Sequence, residues 1–160
     1  NKVKSGDAEN IEARAAAYYW RNVFHNPDFV RGQEGDPPNN LLNYGYAIVR
    51  AMVARALVAA GLLPTLGIHH HNRYNAYCLA DDIMEPYRPF VDQLVIDMMN
   101  RYEDISELNT EMKRDLLGLA YHDVLIDSKR RPMQIAIQTT ANSVYKCFSG
   151  EARKIIYPDW

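Results

Sequence analysis

The chain has 160 residues, of which 48% are hydrophobic and 24% charged, and this composition excludes a disordered or low-complexity protein. Its length suits one domain with a core of ordinary size, and a net charge of −2 argues neither for nor against nucleic acid as a partner. Residues 81–115 hold ten acidic and four basic residues, a net of −6, while each flank carries +2. An acidic centre between basic flanks suits a cation site beside an anionic substrate, although we expect most of these acids to form solvated helix faces.

The cysteines and the longest apolar run indicate a cytoplasmic protein. Cys78 and Cys147 form no metal-binding or redox motif, and the first thirty residues show no signal peptide, so we expect free thiols in a reducing compartment. Residues 41–63 are as long as a membrane span but contain Arg50 and Arg55, and each arginine costs about 2.5–3.5 kcal/mol at the centre of a bilayer. We therefore expect a buried helix and no membrane association.

The first half of the chain reads as two helices separated by a loop. The first helix is predicted over residues 8–24, with Asp7 as its N-cap. A loop rich in proline and glycine follows over residues 25–40. The second helix is predicted over residues 41–60 and ends at Gly61, with a proline just beyond, as is typical of a helix terminus.

A polar loop with three consecutive histidines, residues 69–71, leads into a helical segment predicted over residues 79–102. Pro86 and Pro89 fall early in that segment, and proline interrupts the hydrogen-bond ladder of a helix. The first turn is therefore predicted to be kinked or offset from the rest.

The last third is predicted to hold two more helices with a turn between them. One helix is expected over residues 106–119, starting at Ser106, and the other over residues 132–147. Between them, a short β-hairpin is predicted within residues 122–135, turning at residues 127–130. The fold class is all-α: one irregular helical domain over residues 1–160 with one short β-hairpin near 122–135.

The histidine loop and the segment after it form the strongest candidate site. Asp82 and Glu85 are three residues apart, so on a helix they share a face, and a histidine 12 to 15 residues upstream can fold back to meet them. Imidazole with two carboxylates suits Mn²⁺ or Mg²⁺ better than a structural Zn²⁺. The same Asp-x-x-Glu pattern is also a capping box, in which both side chains serve backbone N–H groups, and spacing does not decide between these interpretations.

Glu12 is a further candidate on the first helix. It shares a helical face with Ala16, Tyr19 and Val23. A lone acid on an apolar stripe must be paired, protonated or metal-bound if that face is buried. The alternative is that Glu12 merely ends the stripe near the helix N-terminus, where the helix dipole favours a negative charge.

Four separated blocks, in order and spacing, resemble a known family. They are NIEARAAAYYW, the long helix NNLLNYGYAIVRAMVARALVAAGLLP, GIHH with DDIME and the EPYRPFVDQLV that continues it, and SKRRPMQIAIQTTANSVYKCFSGE. Together they resemble Cas1, the integrase of CRISPR adaptation, and in particular its type II branch, and the resemblance covers nearly the whole chain.

The resemblance implies a set of functional residues. The catalytic, metal-binding trio of the family falls on Glu12, His70 and Glu85, and Asp82 matches an acid at or near the metal in some members. The family tends to place basic residues where Arg73 and Arg88 stand, three positions after the histidine and three after the last carboxylate, which suits contact with DNA phosphate.

The resemblance also implies an activity and partners. The activity would be a DNA endonuclease and integrase that depends on Mg²⁺ or Mn²⁺ and joins the 3′-hydroxyl of a new spacer to a phosphodiester of the repeat. The implied partners are DNA, a second copy of the full-length protein, Cas2 and, in the type II system, Cas9. The family's upstream β-rich dimerisation domain has no counterpart here, so we expect this chain to be the catalytic half of a longer protein.

Two other functions fit the residues without the resemblance. A helical metal-dependent phosphohydrolase would use the same cation and ligands on small phosphoesters in a closed pocket. A non-catalytic helical interaction module would carry the same histidines and acids as ordinary surface residues, and it would gain no stability from Mn²⁺.

Overall fold

A computed structural model of the chain describes residues 10–26, 28–32 and 36–159. Helices dominate these residues, as the sequence predicted. The helices are α1 (Ile11–Val23), α2 (Asn39–Ala59), α3 (Cys78–Met84), α4 (Arg88–Arg101), α5 (Thr110–Leu117) and α6 (Met133–Phe148). Short 3₁₀ segments precede α4 (Glu85–Tyr87) and follow α5 (Gly118–Tyr121). The strands are β1 (Asp123–Ile126), β2 (Lys129–Pro132) and β3 (Pro158–Asp159).

Helix α2 is the centre of the fold and packs against α3, α4, α5 and α6. Its fully buried aliphatic side chains are Leu41, Leu42, Val49, Val53 and Leu57. Complete burial of such a side chain stabilises a protein by about 1.5–3 kcal/mol. Gly45 lets the neighbouring helix approach, because a Cβ at this position would overlap the Val91 side chain of α4. The α2 packing is therefore what holds the other helices together.

The ends of α2 and its apolar character follow the sequence prediction. Gly61 adopts a φ of 81°, and this left-handed conformation lets the N–H of Leu62 donate to the carbonyl of Leu57 at 2.9 Å. In the part of the chain that the structure describes, α2 is the one helix long and apolar enough to cross a membrane. More than half of its apolar window is buried by other elements, as in a core helix.

The segment predicted as one kinked helix over 79–102 is divided into α3 and α4 by the first 3₁₀ segment. Pro86 has no N–H to continue the helical ladder, and Pro89 lies in the first turn of α4. The predicted kink is confirmed. It places Glu85 at the junction between the two helices, where the chain changes direction.

The predicted hairpin is confirmed as β1 and β2, and β3 adds a strand that the sequence did not predict. The strands form an antiparallel sheet in the order β2–β1–β3, with Leu125 opposite Asp159. Asp127 and Ser128 have φ values of 50° and 59°, and a two-residue turn with both φ angles positive matches the twist of a hairpin. Val124 and Ile126 are fully buried and attach the sheet to the core.

One predicted helix boundary is wrong and another lies outside the described residues. Helix α5 begins at Thr110, not at Ser106, because the Asn109 side chain accepts the N–H of Met112 and caps the helix there. The backbone N–H of Ser106 instead donates to Asp104. Helix α1 is described from Ile11, and the predicted cap at residue 7 lies outside the described residues.

Candidate functional site

The histidine loop, residues 66–71, is attached to α3 through the carboxylate of Asp82. One oxygen of Asp82 accepts the backbone N–H of Ile68 at 2.5 Å and that of His69 at 2.9 Å. The other accepts the backbone N–H of His70 at 3.2 Å and faces Nδ1 of the His70 ring at 2.6 Å. The Asp82 side chain is only 8% exposed. Both of its oxygens are therefore engaged in holding the loop.

These hydrogen bonds determine the charge of Asp82 and which nitrogen of the His70 ring faces it with a hydrogen. Burial raises the pKa of Asp82, but the N–H donors of His69, His70 and Ile68 outweigh it, so the pKa lies below its ordinary value and the carboxylate is ionised. An ionised carboxylate only accepts hydrogen bonds, so Nδ1 of His70 carries the hydrogen of this bond, and in the singly protonated ring Nε2 is the acceptor. The ring remains 45% exposed, so Nε2 is available to a ligand.

The histidine loop needs a glycine at position 67 because the chain is closely packed there. A Cβ at this position would overlap the backbone carbonyl of His70 and would lie 2.9 Å from Cβ of Cys78 and 3.1 Å from a carboxylate oxygen of Asp82. The loop folds back closely on itself and on α3, and this close approach leaves no room for a larger residue.

Glu85 and Arg88 form an ion pair at the junction of α3 and α4. Arg88 approaches Glu85 to 3.1 Å and also lies over the ring of Tyr46, with its guanidinium carbon 5.1 Å from the ring centre. Burial raises the pKa of Glu85 above its ordinary value, and the positive charge of Arg88 opposes that rise. Glu85 is thus a carboxylate in a partly desolvated position whose charge depends on nearby cations.

Asp81, the neighbour of Asp82, has a structural role. Its carboxylate approaches Nε of Arg50 to 2.7 Å and accepts a hydrogen bond from the Asn75 amide at 2.6 Å. Arg50 lies over the ring of Tyr77, with its guanidinium carbon 4.6 Å from the ring centre. This cluster joins α2, the loop before α3 and α3 itself, and so stabilises the elements that carry the histidine loop.

A cavity of about 660 Å³ opens beside His70 and is called here the arginine groove. Its polar lining includes Arg31, Asn43, Tyr46, Arg50, His70 and Arg88. A second cavity of about 720 Å³, the α1 cleft, lies between α1 and α4 and has a mostly apolar lining. Glu85, Arg88 and Tyr46 line the α1 cleft, and Arg88 and Tyr46 are shared between the two cavities.

Arg31 is a site residue that the sequence interpretation missed. It donates to the Gly32 carbonyl at 2.7 Å, to Oδ1 of Asn39 at 3.0 Å and to Oδ1 of Asn43 at 2.6 Å, all of which are neutral acceptors. No carboxylate among the described residues pairs with it. Burial lowers the pKa of Arg31 somewhat, yet a guanidinium remains protonated. The groove therefore holds a fixed positive charge that no described ion pair neutralises.

One face of α2 supplies the floor of the groove. Asn43, Tyr46 and Arg50 line the groove and follow one another at intervals of three and four residues along one side of the helix, and Asn39 lies one turn earlier on that side. The spacing was visible in the sequence, but Arg31 reaches these asparagines only because the loop before α2 folds back over it.

The structure brings some of the predicted site residues together. His70 and Arg88 line the arginine groove, and Glu85 borders the adjoining α1 cleft. Arg73 is exposed on the loop, where its guanidinium carbon lies 4.7 Å from the centre of the Tyr74 ring. The metal and DNA roles of these residues stay predictions.

Two further expectations concern the carboxylates. The capping-box interpretation of Asp82 and Glu85 is wrong, because α3 begins at Cys78 and both residues lie beyond its first turn. The backbone of Glu12 belongs to α1, but its side chain is outside the described part of the chain. Among the side chains that are described, no three His, Cys, Asp or Glu residues cluster closely enough to hold a metal ion.

Comparison with known proteins gives a consistent family. The family model described as CRISPR associated protein Cas1 matches residues 4–113. The CRISPR-associated endonuclease Cas1 of Neisseria meningitidis serogroup C is 36% identical over 143 residues, covering 89% of this chain and 46% of that protein. A CRISPR-associated endonuclease Cas1 of Pyrobaculum aerophilum is 35% identical over 137 residues, covering 84% of this chain and 46% of that protein. The chain thus spans about half the length of these relatives.

A solved structure shares the fold. A casposase bound to its integration product superimposes with a TM-score of 0.76 and 23% sequence identity, covering 93% of this chain and 49% of that chain. The arrangement of helices around α2 and the small sheet is therefore one already seen in a larger protein.

Proposed function

Because the chain belongs to the Cas1 family, we propose that it is the catalytic part of a metal-dependent DNA endonuclease and integrase of CRISPR adaptation. In the proposed reaction, the 3′-hydroxyl of a new spacer attacks a phosphodiester of the repeat. A phosphorus–oxygen bond forms to the attacking oxygen and the bond to the leaving 3′-oxygen breaks. The attacking hydroxyl loses a proton and the leaving oxygen gains one. With water as the attacking group, the same site would act as an endonuclease.

The observation that carries this proposal is the orientation of His70 by Asp82 on the wall of the arginine groove. The bond from Nδ1 to the carboxylate holds the ring in one tautomer and leaves Nε2 as an acceptor. An acceptor in this position can take the proton of the attacking hydroxyl, in which case Asp82 stabilises the positive charge of the ring, or it can bind a cation.

The cations of the groove support a phosphodiester as the substrate. Arg31 is held rigidly by neutral oxygens, so its charge is available to an anion without the loss of an ion pair. Arg88 contributes a second guanidinium, shared with Glu85. Arg73 lies outside the groove and would contact the DNA backbone farther from the reacting phosphate.

The metal is proposed on the chemistry of the donors. Nε2 of His70 and the carboxylate of Glu85 are an imidazole nitrogen and a hard oxygen, which suit Mn²⁺ or Mg²⁺. Glu12 would supply the third ligand, and Asp82 would act from beside the site because its oxygens hold the loop. When bound, the ion would supply positive charge that stabilises the phosphoryl oxygens as the bonds exchange.

The remaining parts of the proposal concern the complete protein. We place it in the cytoplasm, as a homodimer that works with Cas2 and, in the type II system, with Cas9. Because this chain spans about half the length of its relatives, it is expected to bind DNA weakly and to integrate poorly by itself.

The experiment measures strand transfer and cleavage of a hairpin DNA in Mn²⁺ for Glu12→Ala, His70→Ala and Glu85→Ala. Each change is expected to abolish the activity while the far-ultraviolet circular dichroism stays that of the wild type. Glu107→Ala is the matched control, since this glutamate is exposed and distant in sequence from the site. Full activity of Glu85→Ala, or preference for a small phosphoester over DNA, would contradict the proposal.

A further inference from the structure

Asp92 of α4 is a buried carboxylate outside the site described above. Asp92 is only 3% exposed. It accepts the hydroxyl of Tyr19 at 2.6 Å and also that of Tyr46 in a short hydrogen bond. The two tyrosines belong to α1 and α2, so one carboxylate joins three helices.

The surroundings of Asp92 make these hydrogen bonds necessary. No lysine or arginine among the described residues lies within ion-pair distance of it, and a buried carboxylate without donors is strongly unfavourable. Arg31 and Arg88 lie farther off, over the ring of Tyr46. The two tyrosine hydroxyls are therefore the direct partners that the structure gives to this carboxylate.

Helix α1 depends on this contact because most of its surface is exposed. Every residue from Ala13 to Tyr18 is exposed, and Tyr18 itself is 73% exposed. Beyond Tyr19, the Trp20 ring stacks on Phe24 at 5.8 Å between ring centres and attaches the C-terminal end of the helix to the core. Tyr19 thus adds a hydrogen bond to Asp92 next to the aromatic packing of Trp20 and Phe24.

Tyr19 and residue 12 lie on the same helix, so a bond that holds Tyr19 also affects the position of the backbone at residue 12. Seven residues separate the two, which is about 10 Å along a helix. Trp20 and Phe24 pack at the C-terminal end of α1, so a change in its angle about that end displaces the helix more toward its N-terminus. Holding the angle of α1 therefore sets where the backbone of residue 12 lies relative to His70 and Glu85.

We propose that the Tyr19–Asp92 hydrogen bond is a latch that holds α1 at a fixed angle, and that both residues position Glu12 without touching the substrate themselves. This inference rests on the proposed function, because it assumes that Glu12 takes part in the reaction. The latch itself is a structural statement and can be tested independently of activity.

The test compares Tyr19→Phe with Tyr18→Phe, a matched control that removes the hydroxyl of the exposed neighbour. The first readout is hydrogen exchange of the α1 amides in the absence of metal. Loss of a hydrogen bond to a charged acceptor is expected to speed this exchange by about ten- to a hundred-fold in Tyr19→Phe. Tyr18→Phe should exchange at the wild-type rate, as should the amides of α2 in both variants.

The second readout separates positioning from general damage. Tyr19→Phe is expected to lower kcat for DNA cleavage while KM for DNA stays unchanged, because the arginine groove is intact. Asp92→Asn, which keeps an acceptor oxygen, should fall between the wild type and Tyr19→Phe in α1 exchange.

Each failure has its own signature. Wild-type exchange in Tyr19→Phe would overturn the latch. Faster exchange with wild-type kcat would overturn the positioning of Glu12. Full activity of the Glu12→Ala single variant would remove the proposed role of Glu12, and the positioning inference with it, whatever the exchange rates.

Discussion

Replacing Asp82 should separate the two tasks that its carboxylate performs. Asp82→Ala removes three acceptor contacts to backbone N–H groups and one to the His70 ring. A hydrogen bond to a charged group contributes about 1.5–3 kcal/mol, but these four share one carboxylate and water can reach the exposed loop, so we expect a loss of about 2–4 kcal/mol in all. For a chain of this length that corresponds to a fall in Tm of roughly 5–10 °C.

Asp82→Asn is the sharper variant. Its amide oxygen can still accept N–H groups of the loop, so the fold and most of the stability should remain. Its amide nitrogen donates, however, and a donor facing Nδ1 of His70 favours the ring with the hydrogen on Nε2. Nε2 is then no longer an acceptor. We expect DNA cleavage to fall by about 10–100-fold, the range seen when a residue that orients a functional histidine is changed.

Nitrogen NMR of the His70 ring in metal-free protein provides the assay, because it reports which ring nitrogen carries the hydrogen. The wild type should show it on Nδ1 and Asp82→Asn on Nε2. Asp81→Asn is the matched control, since Asp81 pairs with Arg50 and does not contact the ring. An unchanged tautomer together with wild-type activity in Asp82→Asn would refute the reasoning.

Three further predictions address the loop, the groove and α1. Gly67→Ala should lower stability by about 1–3 kcal/mol in thermal unfolding, because its Cβ meets the loop backbone, whereas Gly118→Ala meets nothing within 4 Å and should be neutral. Arg31→Gln should weaken binding of a short DNA duplex and reduce the salt dependence of that binding by about one phosphate contact. Arg73→Gln should have a smaller effect on both quantities. Equal effects of the two changes would argue against a special role for Arg31 in binding phosphate. Burial and the neighbouring carboxylate of Asp92 raise the pKa of Tyr19, so the folded state favours the neutral phenol. The stability that the Tyr19 hydroxyl contributes is therefore present below about pH 10 and is lost as the pH rises above that value. In hydrogen exchange, Tyr19→Phe should show a shallower alkaline loss of α1 protection than the wild type.

Local sequence patterns were sufficient for much of the fold. The apolar run of α2 and the glycine after it were enough to predict the helix and its end, because both the run and the left-handed turn are features of residues adjacent in sequence. The break at Pro86 was predictable for the same reason. The choice between Ser106 and Asn109 as the start of α5 was not, since both residue types cap helices and only the folded chain shows which backbone N–H each one faces.

The site was harder to predict because its contacts join distant segments. The spacing of Asp82 and Glu85 suggested one shared ligand position, yet Asp82 faces the loop and Glu85 faces Arg88. Which N–H groups surround a carboxylate depends on how the loop folds back, and a linear pattern does not record it. Arg31 was missed for the same reason, since its asparagine partners lie in the first two turns of a helix that begins after it.

The row of groove residues along α2 constrains how this protein can change over time. Asn43, Tyr46 and Arg50 share one side of a helix whose other sides contribute to the core. Adding or removing a single residue inside α2 would rotate everything beyond it by about 100° and carry Arg50 away from the groove while exposing leucines and valines. The length of α2 is therefore constrained both by the core and by the groove.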